Sequence, residues 1–109
     1  MEKVTEIRIV LVTTDTLQSA RHIAKIIVSD GLAACVSIVQ NLTSFFSWHS
    51  SLHERNEYLL IIKTAESKLS ELEERIIQLS NDEVPEILAL PADYAHAEYY
   101  KWLINSIQK

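Results

Sequence analysis

The sequence predicts a mixed α/β (α+β) domain, a four-stranded antiparallel sheet with helices on one face and an extra C-terminal helix. Two observations carry this. Short β-branched apolar runs alternate with segments whose apolar residues recur every three or four positions, and the order strand, helix, strand occurs twice with a hairpin between the two units.

Ile7 to Thr13 is short, β-branched and apolar and reads as the first strand. Asp15 and Thr16 follow, with side chains suited to capping the free amides of a helix start. Leu17, Ala20, Ile23, Ala24, Ile27 and Val28 then fall on one helical face, and Gly31 suits the left-handed residue that ends the helix. A second strand starts near Leu32. Tyr58 to Ile62 is a third strand, Leu69, Leu72, Ile76 and Leu79 mark a second helical stripe, and Ile87 to Leu90 is a fourth strand. Ala95 to Ile107 gives the closing helix, on which Tyr99, Trp102, Leu103 and Ile107 are expected to pack together.

Two such units joined by a hairpin are the pattern of the ferredoxin-like split β-α-β fold, whose helices cover one sheet face and leave the other to be covered by something else. The strand from about Ala33 to Trp48 is the unusual element. It spans roughly 50 Å at about 3.3 Å per residue, and a compact domain of this length has a radius of gyration near 13 Å. The strand therefore bends at a bulge or projects beyond its own body. If straight, it places Val36, Ile38, Gln40, Leu42, Ser44, Phe46 and Trp48 on one side. Its tip carries Phe45, Phe46 and Trp48, an aromatic cluster that a neighbouring copy explains better than solvent does.

Composition narrows the function classes. One domain over residues 1–109 is expected from the length. Ten Lys and Arg against fifteen Asp and Glu leave a formal charge of −5, which repels phosphate backbones and sets nucleic acid aside. The N-terminal apolar run, Ile9 to Val12, is too short for a membrane span, and the single cysteine, Cys35, forms no internal disulfide; both fit a cytoplasmic protein. One glycine in the whole chain excludes phosphate-cradling and dinucleotide-binding loops. No nucleophile with its base and no pair of carboxylates in a defined setting is readable, so the expectation is a binding protein without catalytic residues or a bound organic cofactor.

The run Leu32, Ala33, Ala34, Cys35, Val36, then Trp48, Glu57, the pair Lys63 and Thr64, the segment Glu83, Val84, Pro85, Glu86, Ile87, and finally Tyr99 with Trp102 follow one another in an order and spacing that resemble the CutA family, the divalent-cation tolerance proteins. The resemblance covers nearly the whole chain. It implies a ferredoxin-like fold assembled as a tight homotrimer, similar in architecture to the PII signalling proteins, and an association with divalent metals such as copper. The chain departs from the family pattern where His-Pro-Tyr usually precedes Glu-Val-Pro-Glu-Ile; here Ser80, Asn81 and Asp82 stand instead, so a metal role for that histidine does not carry over. Ser37 stands where an Asn is common, and Ser50 where a Gly follows the tryptophan.

Cys35 has two readings: a small residue packed at the sheet among Ala33, Ala34 and Val36, or a soft ligand for copper or another divalent cation. His49 and His53 are four apart, but Ser50, Ser51, Leu52, Glu54, Arg55 and Asn56 read as loop, which gives them no fixed geometry. His22 and His96 read as surface residues. Trp48, Glu57, Lys63, Glu83, Glu86, Tyr99 and Trp102 are the candidates for an intersubunit cleft, with Lys63, Tyr99 and Trp102 bordering a small-ligand pocket. Three functions follow, a trimeric metal-binding tolerance protein, a PII-like regulator that binds a small molecule or a protein, and, third, a catalytic thiol at Cys35.

Overall fold

In a computed structural model the described residues are 1–107. The elements run β1 (Glu2–Lys3), β2 (Ile7–Thr14), α1 (Leu17–Ser29), β3 (Cys35–Trp48), β4 (Ser51–Ala65), a 3-10 turn (Glu66–Lys68), α2 (Leu69–Leu79), β5 (Ile87–Pro91), β6 (Tyr94–Ala95) and α3 (Ala97–Ile107). The main sheet is antiparallel throughout, in the order β3-β4-β2-β5, which is the ferredoxin-like arrangement of two interleaved strand–helix–strand units. The short β1 and β6 pair separately, so the closing helix begins at Ala97 rather than Ala95.

Local chemistry sets the ends of α1. The Thr16 hydroxyl accepts from the Ser19 amide at 3.0 Å. At the other end Gly31, at φ 73°, lets its own amide reach the Val28 carbonyl and the Leu32 amide reach that of Ile27, the paired closure of a Schellman motif. Leu32 then enters the core beside Ile27.

The pleat distributes the rest. Val10 and Val12 of β2 with Leu60 and Ile62 of β4 point to the face that α1 and α2 cover, where they pack against Ile23, Ile27, Leu72 and Ile76. Their neighbours Ile9, Leu11, Leu59 and Ile61 point the other way and are only half-buried, and Leu88 and Leu90 of β5 are exposed beside them. At one end of that second face α3 packs Leu103 and Ile107 against Ile7 and Ala65. Tyr99 and Trp102 do not join this packing as expected. They stand exposed on α3, with ring centroids 5.5 Å apart.

The β3–β4 hairpin departs most from expectation. Ser51 to Asn56 is strand, not loop, paired residue by residue with Thr43 to Trp48. The connection is a two-residue turn of His49 and Ser50, both at positive φ, the requirement of a type I′ hairpin. Between Val39 and Leu42 the pairing shifts, with Gln40 and Asn41 together opposing Tyr58, and Asn41 takes the left-handed conformation. The strand both bulges and projects: the longest dimension of the molecule is 45 Å.

The bulge also overturns the expected single-sided row. Val36 and Ile38 pair with Ile62 and Leu60 on the helix side, whereas Leu42, Ser44, Phe46 and Trp48 pair with Glu57, Arg55, His53 and Ser51 on the opposite face. His49 and Ser50 are non-glycine residues in the left-handed region, which costs each about 1 kcal/mol or more. Replacing the pair by Asn and Gly is expected to raise the unfolding free energy by about 1 kcal/mol, measured as a higher denaturant midpoint at fixed protein concentration.

Candidate functional site

The face that α1 and α2 leave open carries polar side chains at both ends. At the end bearing the hairpin tip, Glu57 is 4% exposed, and its neighbour along the same side of β4 is Arg55. The guanidinium of Arg55 lies 2.5 Å from Glu57 Oε2 and donates through both terminal nitrogens to Asp82, at 2.9 and 3.1 Å. It also sits 6.0 Å from the centroid of the Phe46 ring, which in turn stacks on His53 at 5.5 Å. Asp82 belongs to the segment between α2 and β5, so this one guanidinium ties the hairpin to that segment across 27 residues of sequence.

These groups border a cavity of about 630 Å³, lined also by Trp48, Glu83, Val84 and Glu86. Burial pushes the Glu57 carboxyl up. Hydrogen bonds from Ser44, Arg55 and Thr13, with the Arg55 charge, outweigh it, and the net direction is downward. Arg55 is held protonated more firmly than usual, chiefly by its bond to Asp82 against the cost of desolvation, with Glu57 adding to the hold.

The other end is built on the pairing of Cys35 with Lys63. Lys63 Nζ donates to Ser37 Oγ at 2.6 Å and lies 3.7 Å from Cys35 Sγ. Cys35 is half-buried, and Tyr99 of α3 stands near enough that burial and the charge of a Cys35 thiolate both push its phenol upward. With Tyr99 comes its ring partner Trp102.

The seven candidate cleft residues therefore form two groups on one chain. Trp48, Glu57, Glu83 and Glu86 share the hairpin-end cavity, while Lys63 and Tyr99 lie on the Cys35 side, with Trp102 against the Tyr99 ring. Glu57 and Lys63 are six residues apart on β4, about 20 Å, and Glu57 pairs with Arg55 rather than Lys63. Arg55 and Asp82 are the residues that sequence reasoning missed. The alternation of Arg55 and Glu57 on one strand side is the available signal, masked by the polar, loop-like composition of residues 50–56.

As a metal site, Cys35 supplies one soft thiol suited to copper, with the Lys63 ammonium beside it. Among the described residues no group of three or more His, Cys, Asp and Glu side chains is placed to hold a metal ion. The two histidines of the tip diverge: His53 stacks on Phe46 and His49 meets the Trp48 edge.

The Arg55 network fixes a pH response. The Glu57 carboxyl titrates lower in the folded chain than in the unfolded one, so its contribution is complete above the ordinary glutamate range, about 4.3, and is lost as pH falls through the folded value. Replacing Arg55 by Ala leaves Glu57 buried without its cation. With Arg55 partly open to solvent the expected loss is about 2–3 kcal/mol at neutral pH, read by denaturant unfolding. In that variant burial of Glu57 favours its protonated form, so the deficit shrinks on acidification, and Glu57→Gln in the same background recovers part of it.

Residues 8–106 match the CutA1 divalent ion tolerance protein family. The divalent-cation tolerance protein CutA of Thermus thermophilus is 43% identical over 95 residues, covering 87% of this chain and 92% of that protein. The chloroplastic protein CutA 1 of Oryza sativa is 38% identical over 93% of this chain, which spans only 57% of the rice protein's length. Among solved structures, CutA1 from Oryza sativa superposes with a TM-score of 0.93 at 35% identity, covering 99% of both chains. The periplasmic divalent cation tolerance protein CutA from Archaeoglobus fulgidus gives 0.91 at 27% identity, covering 94% of this chain and 99% of its own. The chain belongs to the CutA1 divalent-ion tolerance family.

Proposed function

We propose that this chain is a homotrimeric divalent-cation tolerance protein that acts by binding and not by catalysis, with one domain per subunit. The observation that supports it best is the uncovered sheet face. Ile9, Leu11, Leu59, Ile61, Leu88 and Leu90 form an apolar strip with a polar half-site at each end. Two half-sites about 20 Å apart on one strand complete a cleft only when the hairpin end of one copy meets the Cys35 end of the next. Such sheet-to-sheet contact also covers Phe46 and Trp48, each 37% exposed on the single chain.

Metal enters this reading through Cys35. A thiolate is a soft donor for copper, and with Lys63 beside it the remaining donors come from a neighbouring copy. A second reading, a PII-like regulator that holds a small molecule in the cleft, draws on the organised Arg55, Glu57 and Asp82 network and the cavity beside it. A lone thiol fits a reducing cytoplasm. Among the described residues no helix is long and apolar enough to cross a membrane.

Native mass spectrometry with and without Cu(I) or Cu(II) tests assembly and metal together. The expected species is three chains, and Ile61→Asp, which buries a charge in the proposed contact, is expected to reduce it to one chain at micromolar concentration. Stoichiometric copper that disappears in Cys35→Ala supports the metal reading. A trimer that takes up no copper supports the small-molecule reading, and a wild-type protein that stays monomeric overturns the assembly.

A further inference from the structure

We infer that the outward face of the α1–α2 layer is a contact surface for a second copy of this chain, with the basic row of α1 set on the acidic row of α2 in each direction. α1 buries Ala20, Ile23 and Ile27, and α2 buries Leu72 and Ile76, so the opposite side of each helix faces away from the sheet. On α1 that side carries Arg21, His22 and Lys25, and none of the 13 residues of the helix is acidic. On α2 it carries Glu71, Glu73 and Glu74, all exposed. The layer lies on the far side of the sheet from the strip proposed for the trimer contact, so assembly through that strip leaves it open.

Sign is segregated by helix. A solvated helix ordinarily mixes its charges, so that opposite signs meet three or four residues apart on its own surface. Here Arg21 and Lys25 stand one turn apart with like sign, and neither they nor the three glutamates enter an ion pair among the described residues. The ion pair that does join the two helices, Arg75 with Asp30 at 3.7 Å, uses neither row. The complement of each row is therefore present on this chain but not used within it. A two-fold axis that lies in the contact plane and runs along the helices sets α1 of each copy on α2 of the other, so the match acts twice. Val28, one turn beyond Lys25, and Ile77, one turn beyond Glu73 and Glu74, are exposed and add apolar contact beside the charges. Helices of 13 and 11 residues present a face of roughly 20 Å by 20 Å, about half of the 800 Å² or so that each partner gives to a standard interface. The net charge of −5 on every copy opposes the approach, so the contact is reversible and forms at high protein concentration.

Sedimentation of the full chain from micromolar to submillimolar concentration tests this. The wild-type unit, whatever its chain count, is expected to double in mass reversibly. Arg21→Glu with Lys25→Glu makes both rows acidic, and Glu71→Lys with Glu74→Lys makes both predominantly basic; each variant alone is expected to associate at least about tenfold more weakly. The two variants mixed are expected to pair, since each row then meets its opposite in both directions. A wild-type unit that keeps one mass at every concentration, a variant that doubles alone as the wild type does, or a mixture that fails to pair overturns the inference. So does a fall of the unit itself to a smaller species in Arg21→Glu with Lys25→Glu, because that places α1 inside the unit's own contact. Ile61→Asp separates this contact from the trimer: its smaller unit is expected to double still, through the helices.

Discussion

The structure depends on the strict two-residue alternation of β4, an inner strand paired along its length with β3 and through its C-terminal half with β2. One set of its side chains, Leu60, Ile62 and Thr64, is fully buried on the side of α1 and α2. Thr64 closes its hydroxyl onto the Leu32 carbonyl at 2.7 Å, so even the polar member of that row is satisfied. The other set, Glu57, Leu59, Ile61 and Lys63, inherits whatever the helices do not cover. The helices thus determine the open face by omission, since every residue withdrawn into the core places its neighbour on the other side.

That division explains why the polar groups lie at the ends of the open face and the apolar ones at its centre. Thr13 and Lys63 flank Leu11, Leu59 and Ile61, and the hairpin carries Arg55 and the aromatic residues beyond the edge of the body. A hairpin this long gains little from its own subunit at the tip, where nearly every residue is exposed. Arg55 is the exception. By reaching Asp82 it braces the hairpin against the segment between α2 and β5 and fixes the cavity wall within the single chain.

Much of this is legible in the sequence because it is local. The Thr16 cap, the Gly31 closure, the helical stripes and the β-branched runs each announce themselves within a few residues, and the motif order from Leu32 to Trp102 carries the family. What escaped was set by pairing. Residues Ser51 to Asn56 are almost wholly exposed and polar, so no hydrophobic alternation marks them as strand, and a turn of His49 and Ser50 lacks the glycine that signals a type I′ hairpin. The Arg55–Asp82 pair joins positions that no short-range pattern links. Asp82 also stands where this chain departs from the usual family motif, so the resemblance carries no information about its partner.

The bulge at Gln40 and Asn41 makes β3 two strands of opposite phase joined end to end. The root, with Val36 and Ile38, packs on the core, and the tip turns Phe46 and Trp48 to the open face. Because two residues there stand opposite one, loss of Asn41 is register-neutral for everything beyond it: Leu42 still meets Glu57, and Phe46 still meets His53. Gain or loss of a residue between Leu42 and Trp48 has no such slack and turns the aromatic side chains away from Arg55. Tolerance of length change in this strand is therefore concentrated at a single point.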